Sequence, residues 1–155
     1  MTQRPLPLAL ALLGCLVPGA AQAITCSVVD TTPVSFGAYD VFSTSPVDTA
    51  GDVTLHCTSV GTTDVIVVEM SEGGGASFAP RALAKAGGGE LEYNLYQNAG
   101  RSIVWGDGSG STSVLGPYTP PDDADDTMTI YGRVPANQDV ESGTYSDTVT
   151  VTINY

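Results

Sequence analysis

The chain has 155 residues and a formal net charge of −12, long enough for one domain with a sizeable core. Its 17 acidic residues outweigh 5 basic ones, which excludes nucleic acid and anionic membrane surfaces as partners, because no basic patch exists to hold phosphates. Solubility outside a cell accounts for the remaining acidity.

The first segment carries Arg4, an apolar run over 6–17 and Ala21, Gln22 and Ala23, an A-x-A cleavage site. This pattern predicts a signal peptide over 1–23, too short for a membrane span. The mature protein is then a single exported domain over 24–155, without stable membrane insertion. A competing reading of the same segment takes Leu12, Leu13, Gly14 and Cys15 as a lipoprotein box, with a lipid on Cys15. Cysteine arithmetic fits cleavage after Ala23. Of the three cysteines, Cys26 and Cys57 remain, and two cysteines in an exported chain most simply pair with each other. Such a bridge contributes about 3–4 kcal/mol by loop-closure entropy. No C-x-x-C or Cys/His cluster accompanies them, so a metal site is not expected.

Along the mature part, residues 34–39 follow Pro33 as a short extended segment. Residues 52–58 alternate, with Val53, Leu55 and Cys57 on one face and Thr54, His56 and Thr58 on the other. Within 64–70, Val65, Ile66, Val67 and Val68 form a continuous apolar run that reads as buried on both faces or beside a sheet centre. Residues 91–97 and 102–105 read as a hairpin across Asn98, Ala99 and Gly100. Over 127–134, Met128, Ile130 and Val134 point inward, and Thr127, Thr129 and Arg133 outward. The last residues alternate without a slip: Val149, Val151, Ile153 and Tyr155 against Thr150, Thr152 and Asn154. A strand of that kind at a free C-terminus raises the question of what lies beside it. Two stretches, 71–90 and 106–126, are long for structureless connections, so short edge strands are expected within them. No amphipathic helix is present, and the whole reads as an all-β antiparallel sandwich.

Catalytic chemistry is hard to find. The one histidine, His56, sits on the outward face of its strand and reads as an ordinary exposed residue. Asp48, Thr49, Ala50 and Gly51 spell an aspartic-protease-like tetrad, but lack the flanking apolar strands that bury such a dyad; they read as a turn. The runs over 107–111 and 122–126 are rich in Asp and Gly without EF-hand ligand spacing, and read as turns too. There is no P-loop and no dinucleotide fingerprint. No cofactor is expected, and the chain is not an enzyme on this reading.

Several motifs, in order, resemble the spore coat protein U domain family, which includes the pilins of the archaic chaperone–usher pathway. They are Cys26, PVSFGAYD over 33–40, LHCT over 55–58, YNLY over 93–96, WGDG over 105–108, YGR over 131–133 with Gln138, and GTYSD over 143–147 continuing to Tyr155. The resemblance implies an immunoglobulin-like fold lacking its last strand. It further implies a groove beside the C-terminal strand, filled first by a periplasmic chaperone and later by a sibling subunit's extension, with an outer-membrane usher as the assembly platform. On that basis Val149, Val151 and Ile153 line the groove, and Tyr145, with Gly143 and Tyr155, matches the chaperone-recognition segment. One departure is notable. Only Ile24 and Thr25 precede Cys26 after cleavage at Ala23, too few for a donor strand at about 3.3 Å per residue. The expected role is thus a pilin-like subunit that accepts a strand but does not give one, a tip or terminal component that transits the periplasm to the cell surface. The alternative is a self-sufficient spore-coat or extracellular matrix protein.

Overall fold

The structure is a computed structural model that describes residues 23–155. The leader up to Gln22, and with it the alternative lipid site at Cys15, lies outside the described residues. Among these, nine strands and no helix are formed: β1 (Thr25–Thr32), β2 (Val47–Thr58), β3 (Ile66–Met70), β4 (Arg81–Lys85), β5 (Glu90–Tyr96), β6 (Leu115–Tyr118), β7 (Ala124–Val134), β8 (Tyr145–Ser146) and β9 (Val151–Asn154). They make a six-stranded sheet in the order β1-β2-β7-β5-β4-β8 and a three-stranded sheet in the order β6-β3-β9. All ladders between named strands are antiparallel. The chain is an all-β sandwich of the immunoglobulin-like kind.

Period-two alternation builds the core. Val53, Leu55 and Cys57 of β2, Met128, Ile130 and Val134 of β7, and Leu91, Tyr93 and Leu95 of β5 face Ile66, Val68 and Met70 of β3. Each such aliphatic side chain contributes roughly 1.5–3 kcal/mol when fully buried. Trp105, 1 % exposed, plugs the interior, and its indole N–H donates to the carbonyl of Val68 at 2.9 Å, tying the large sheet's 95–105 hairpin to β3. The pairing of Cys26 with Cys57 holds: the two face each other in register and a disulfide joins β1 to β2.

Local readings differ in several places. Asp48–Gly51 is not a turn, because β2 begins at Val47 and these residues pair with β7 all the way to Val134. Of the two readings of the run around Val65, the place at a sheet centre holds, since β3 lies between β6 and β9, but burial on both faces does not: Ile66 and Val68 are inside, Val67 is half-buried and Val65 is 49 % exposed. The three-stranded sheet therefore has one covered face, not two. β1 escapes the alternation test since it is an edge strand with most residues exposed. Of the 91–105 hairpin, the second arm makes an isolated bridge, Tyr96 to Val104, and does not form a full strand. The two long stretches do contain strands: β6 lies on a sheet edge, while β4 lies between β5 and the two-residue β8. The acidic run at 122–126 turns at Asp122 and Asp123 and then enters β7.

Candidate functional site: a groove between two walls

After β1 the chain leaves the sheet, and residues 33–41 run along the open side of the core without joining a ladder. Pro33 cannot donate to one. The passage over β2 is possible because residue 51 is glycine: a Cβ there would overlap the Thr32 carbonyl oxygen and sit 2.9 Å from the backbone of Pro33 and Val34. Gly132 of β7 plays the same part below, where a Cβ would come 2.5 Å from Val34 and 2.9 Å from the Phe36 ring. Phe36 then meets Tyr93 edge-to-face, with centroids 5.8 Å apart. The far end of this wall is pinned by Tyr39, whose hydroxyl donates to Pro135 O at 3.0 Å and accepts from Gln138 N at 2.9 Å. Gln138 in turn mimics a strand on the backbone of Glu92, accepting its N–H at 2.7 Å and donating to its carbonyl at 2.9 Å.

The opposite wall is the C-terminal segment. β8 pairs with β4 through Ser146 and Tyr145, and β9 pairs with β3 from Val151 to Asn154. Between them the chain crosses from one sheet to the other at Asp147. Its carboxylate accepts from the Tyr93 hydroxyl at 2.5 Å, from Gly74 N at 2.7 Å and from Thr148 N at 2.7 Å. Gly73 is required at the contact, because a Cβ would overlap this carboxylate and its φ is +78°. Ser71 completes the crossing: its N–H donates to Thr150 O and its hydroxyl accepts from Thr150 N, both at 2.9 Å. Burial, helped by Asp147, pushes the Tyr93 phenol well above its ordinary range, so it stays a donor.

A buried cation supports the crossing from beneath. Arg81 is 0 % exposed and donates to Ser71 O at 2.9 and 3.1 Å, Asn94 Oδ1 at 2.7 Å and Trp105 O at 2.7 Å, with its guanidinium 5.0 Å from the Phe78 ring centroid. Burial lowers its pKa, and the surrounding negative groups, Asp147 among them, oppose that shift.

Between the walls lie two cavities of about 880 and 330 Å³ that share Pro33, Val34, Phe36, Leu83 and Asp147, so they form one groove. Its floor is apolar: Leu83 and Leu91 at the wide end, then Tyr93, Leu95, Ile130, Val53 and Met70. Of the residues expected at a partner interface, Tyr145 lines the wide end and Val149 and Val151 the narrow end, all half-buried. Ile153 packs on the core but lines neither cavity, and Tyr155 is 60 % exposed beyond them. β9 is a sheet edge, and among the described residues no strand pairs with its second side. The groove thus combines apolar pockets with an open row of backbone donors and acceptors, which suits an extended segment laid along it.

The expected residues Tyr145, Val149 and Val151 line this groove, while the side chains that support the C-terminal wall were not expected there. Ser71, Gly73, Gly74 and Arg81 reach the site from elements whose periodicity says nothing about Asp147; the signals present are the YNLY and GTYSD motifs, which hold Tyr93 and Asp147. Elsewhere, His56 lies on the outer face with Nδ1 2.8 Å from Asp125, and Asp48 is held by Arg133 at 2.7 and 2.8 Å. The Arg133 bonds hold the Asp48 carboxyl below its usual range, the opposite of what a proton-sharing dyad needs. Among the described residues no group of three metal-ligating side chains occurs, and no helix is long and apolar enough to cross a membrane.

Comparison with known proteins gives three likenesses. The profile of the family described as SCPU, Spore Coat Protein U domain, matches residues 13–152. Protein U of Myxococcus xanthus is 33% identical over 132 residues, covering 79% of this chain and 71% of that protein. A chain in the crystal structure of the CsuC-CsuE chaperone-tip adhesion subunit pre-assembly complex, from archaic chaperone-usher Csu pili of Acinetobacter baumannii, superposes with a TM-score of 0.57 at 21% identity. The superposition covers 86% of this chain and 40% of that one, so this chain spans less than half of its length, and the likeness is one of fold.

Proposed function

The chain belongs to the Spore Coat Protein U domain family, and from that premise we propose that it is a non-enzymatic, exported structural subunit of the pilin-like kind, completed by a strand from a partner. The observation that carries this reading is the groove between residues 33–41 and the C-terminal wall, apolar along its floor and bordered by the open edge of β9. Leaving such an edge and floor in water costs free energy that an added strand recovers through backbone hydrogen bonds and side-chain burial. The likeness to a chain from a chaperone–tip subunit complex supports a periplasmic chaperone as first occupant and a sibling subunit as the later one, with export through an outer-membrane usher to the cell surface. Cleavage after Ala23 leaves Ile24 and Thr25 ahead of the bridge, and Thr25 already belongs to β1. On that leader reading the subunit receives a strand and gives none, as a tip or terminal component does. The name of the family favours a second reading, a spore-coat or matrix protein that stands alone.

Periplasmic co-expression with a chaperone of this pathway separates the two. Wild type is expected to co-purify with the chaperone. Val151→Asp, which places a charge in the narrow end, is expected to lose capture, while the exposed neighbour change Thr152→Asp keeps it. A monomeric, heat-stable wild type without chaperone, or a Val151→Asp protein captured as well as wild type, rejects the strand-acceptor role. N-terminal sequencing of the exported protein reads the leader, with Ile24 as the expected first residue.

A further inference from the structure

The groove has a charge as well as a shape. Asp40, Glu141 and Asp147 line its wide end and Asp52 and Asp147 its narrow end, and no Lys, Arg or His among the described residues lines either. Three of the four basic side chains among the described residues are committed elsewhere, and the fourth neutralises Glu141. Arg81 is buried under the crossing, Arg133 and Arg101 reach Asp48 at 2.7 and 3.3 Å, and Lys85 holds Glu141 at 2.6 Å. These four are all the Lys and Arg residues among the described ones, facing the 17 Asp and Glu of the chain. Among the described residues, Asp40 takes only the Phe42 N–H, at 2.9 Å, and Asp52 only the Thr129 hydroxyl, at 2.8 Å. Their charges are therefore bonded but not neutralised.

We infer that the occupant of the groove is a basic polypeptide: a strand with alternating apolar residues whose flanking or outward positions carry Lys or Arg that meet Asp40 at the wide mouth and Asp52 at the narrow end. This rests on the strand-acceptor reading of the groove. A second copy of the same chain is a poor occupant, because its acidic surface would approach an acidic rim, and like charges across an interface cost affinity and slow encounter. Electrostatic selection of this kind acts within a Debye length of about 8 Å at physiological salt, so it operates at the mouth of the groove while apolar burial acts on the floor.

The test uses the exported full chain and two synthetic peptides of alternating valine and threonine, alike except that one is flanked by lysines and the other by glutamates. Binding is followed by fluorescence anisotropy at low and high salt. The lysine peptide is expected to bind at least about tenfold more tightly at low salt, with the gap closing in high salt. It is expected to close as well in the double variant Asp40→Asn, Asp52→Asn, whose amide oxygens still accept the existing hydrogen bonds from Phe42 N and the Thr129 hydroxyl. Equal affinity of the two peptides, or dimers of the chain itself in sedimentation, overturns the basic-partner inference and leaves the groove reading intact. If neither peptide binds, or if Val151→Asp leaves lysine-peptide binding unchanged, the groove reading fails and takes the inference with it.

Discussion

Arg81 shows how a single residue holds the site in shape. A guanidinium fully removed from water is costly unless its donors are satisfied, and here carbonyls and an amide do so without a direct carboxylate contact. Arg81→Met keeps roughly the volume but strips Ser71 O and Trp105 O of their donor, while Asn94 Oδ1 keeps only the Leu95 N–H at 3.0 Å. Each orphaned buried acceptor costs about 1–3 kcal/mol, partly offset by removing the buried charge. A net loss of about 2–4 kcal/mol is expected, read as a lower urea midpoint; an unchanged midpoint would show the network to be dispensable. At the outer face, His56 acts through pH. The hydrogen bond to Asp125, with lesser help from Asp123, raises its pKa above 6.5. A raised folded-state pKa means that the ion pair stabilises fully below the unfolded value of 6.5 and is lost as pH climbs through the folded one. The melting temperature of wild type is therefore expected to fall slightly from pH 6.5 upward relative to His56→Gln. Parallel pH profiles of the two proteins would count against it.

At the level of elements, the groove depends on the chain crossing β2, and Gly51 sets that crossing. Gly51→Val drives a side chain into backbone atoms of residues 32–34, which cannot rotate away. The cost is about 1–3 kcal/mol of overpacking, with the 33–41 wall displaced. Reduced stability together with lost partner capture is expected in thermal melts and pull-downs, whereas Gly51→Val behaving as wild type would mean that the wall does not need this path. The same position explains what was legible in the sequence. Strands with one buried face, such as 52–58 and 127–134, announce themselves by alternation, as does the C-terminal one. The first half of β2 does not: Asp48 and Gly51 have poor strand propensity, and what keeps them extended is remote, an ion pair to Arg133 across the ladder and the passage of residues 32–34 overhead. β1 has no alternation to read because its faces are mostly exposed and its hold on the sheet is a ladder and a disulfide. At the site, motif resemblance pointed to the C-terminal wall, but Pro33, Val34 and Phe36 become the other wall only through tertiary passage over Gly51 and Gly132.

Across the whole molecule, cohesion is uneven. β2 and β7 share an unbroken register from Val47 through Cys57, and β1 is stapled to β2 by the disulfide. At the other extreme β8 pairs over two residues, and β9 holds to β3 over four positions with its far edge unpaired. Hydrogen exchange reads this contrast, because edges with few ladder bonds open with less free energy than a central ladder. In the chain without a partner, amides of Val151–Asn154 and of Tyr145 and Ser146 are expected to exchange faster than those of β2 and β7. An occupant strand would bond the open edge of β9 and cover the groove, so its arrival is expected to slow exchange first in residues 145–154 and in the 33–41 wall, with little change in the already protected β2 and β7. The pattern discriminates because binding on any other surface would leave the C-terminal wall as fast as before. Protection of β9 in the isolated chain equal to that of Val53, Leu55 and Cys57 would mean that its cohesion needs nothing from outside, and the physical reason for recruiting a strand would vanish.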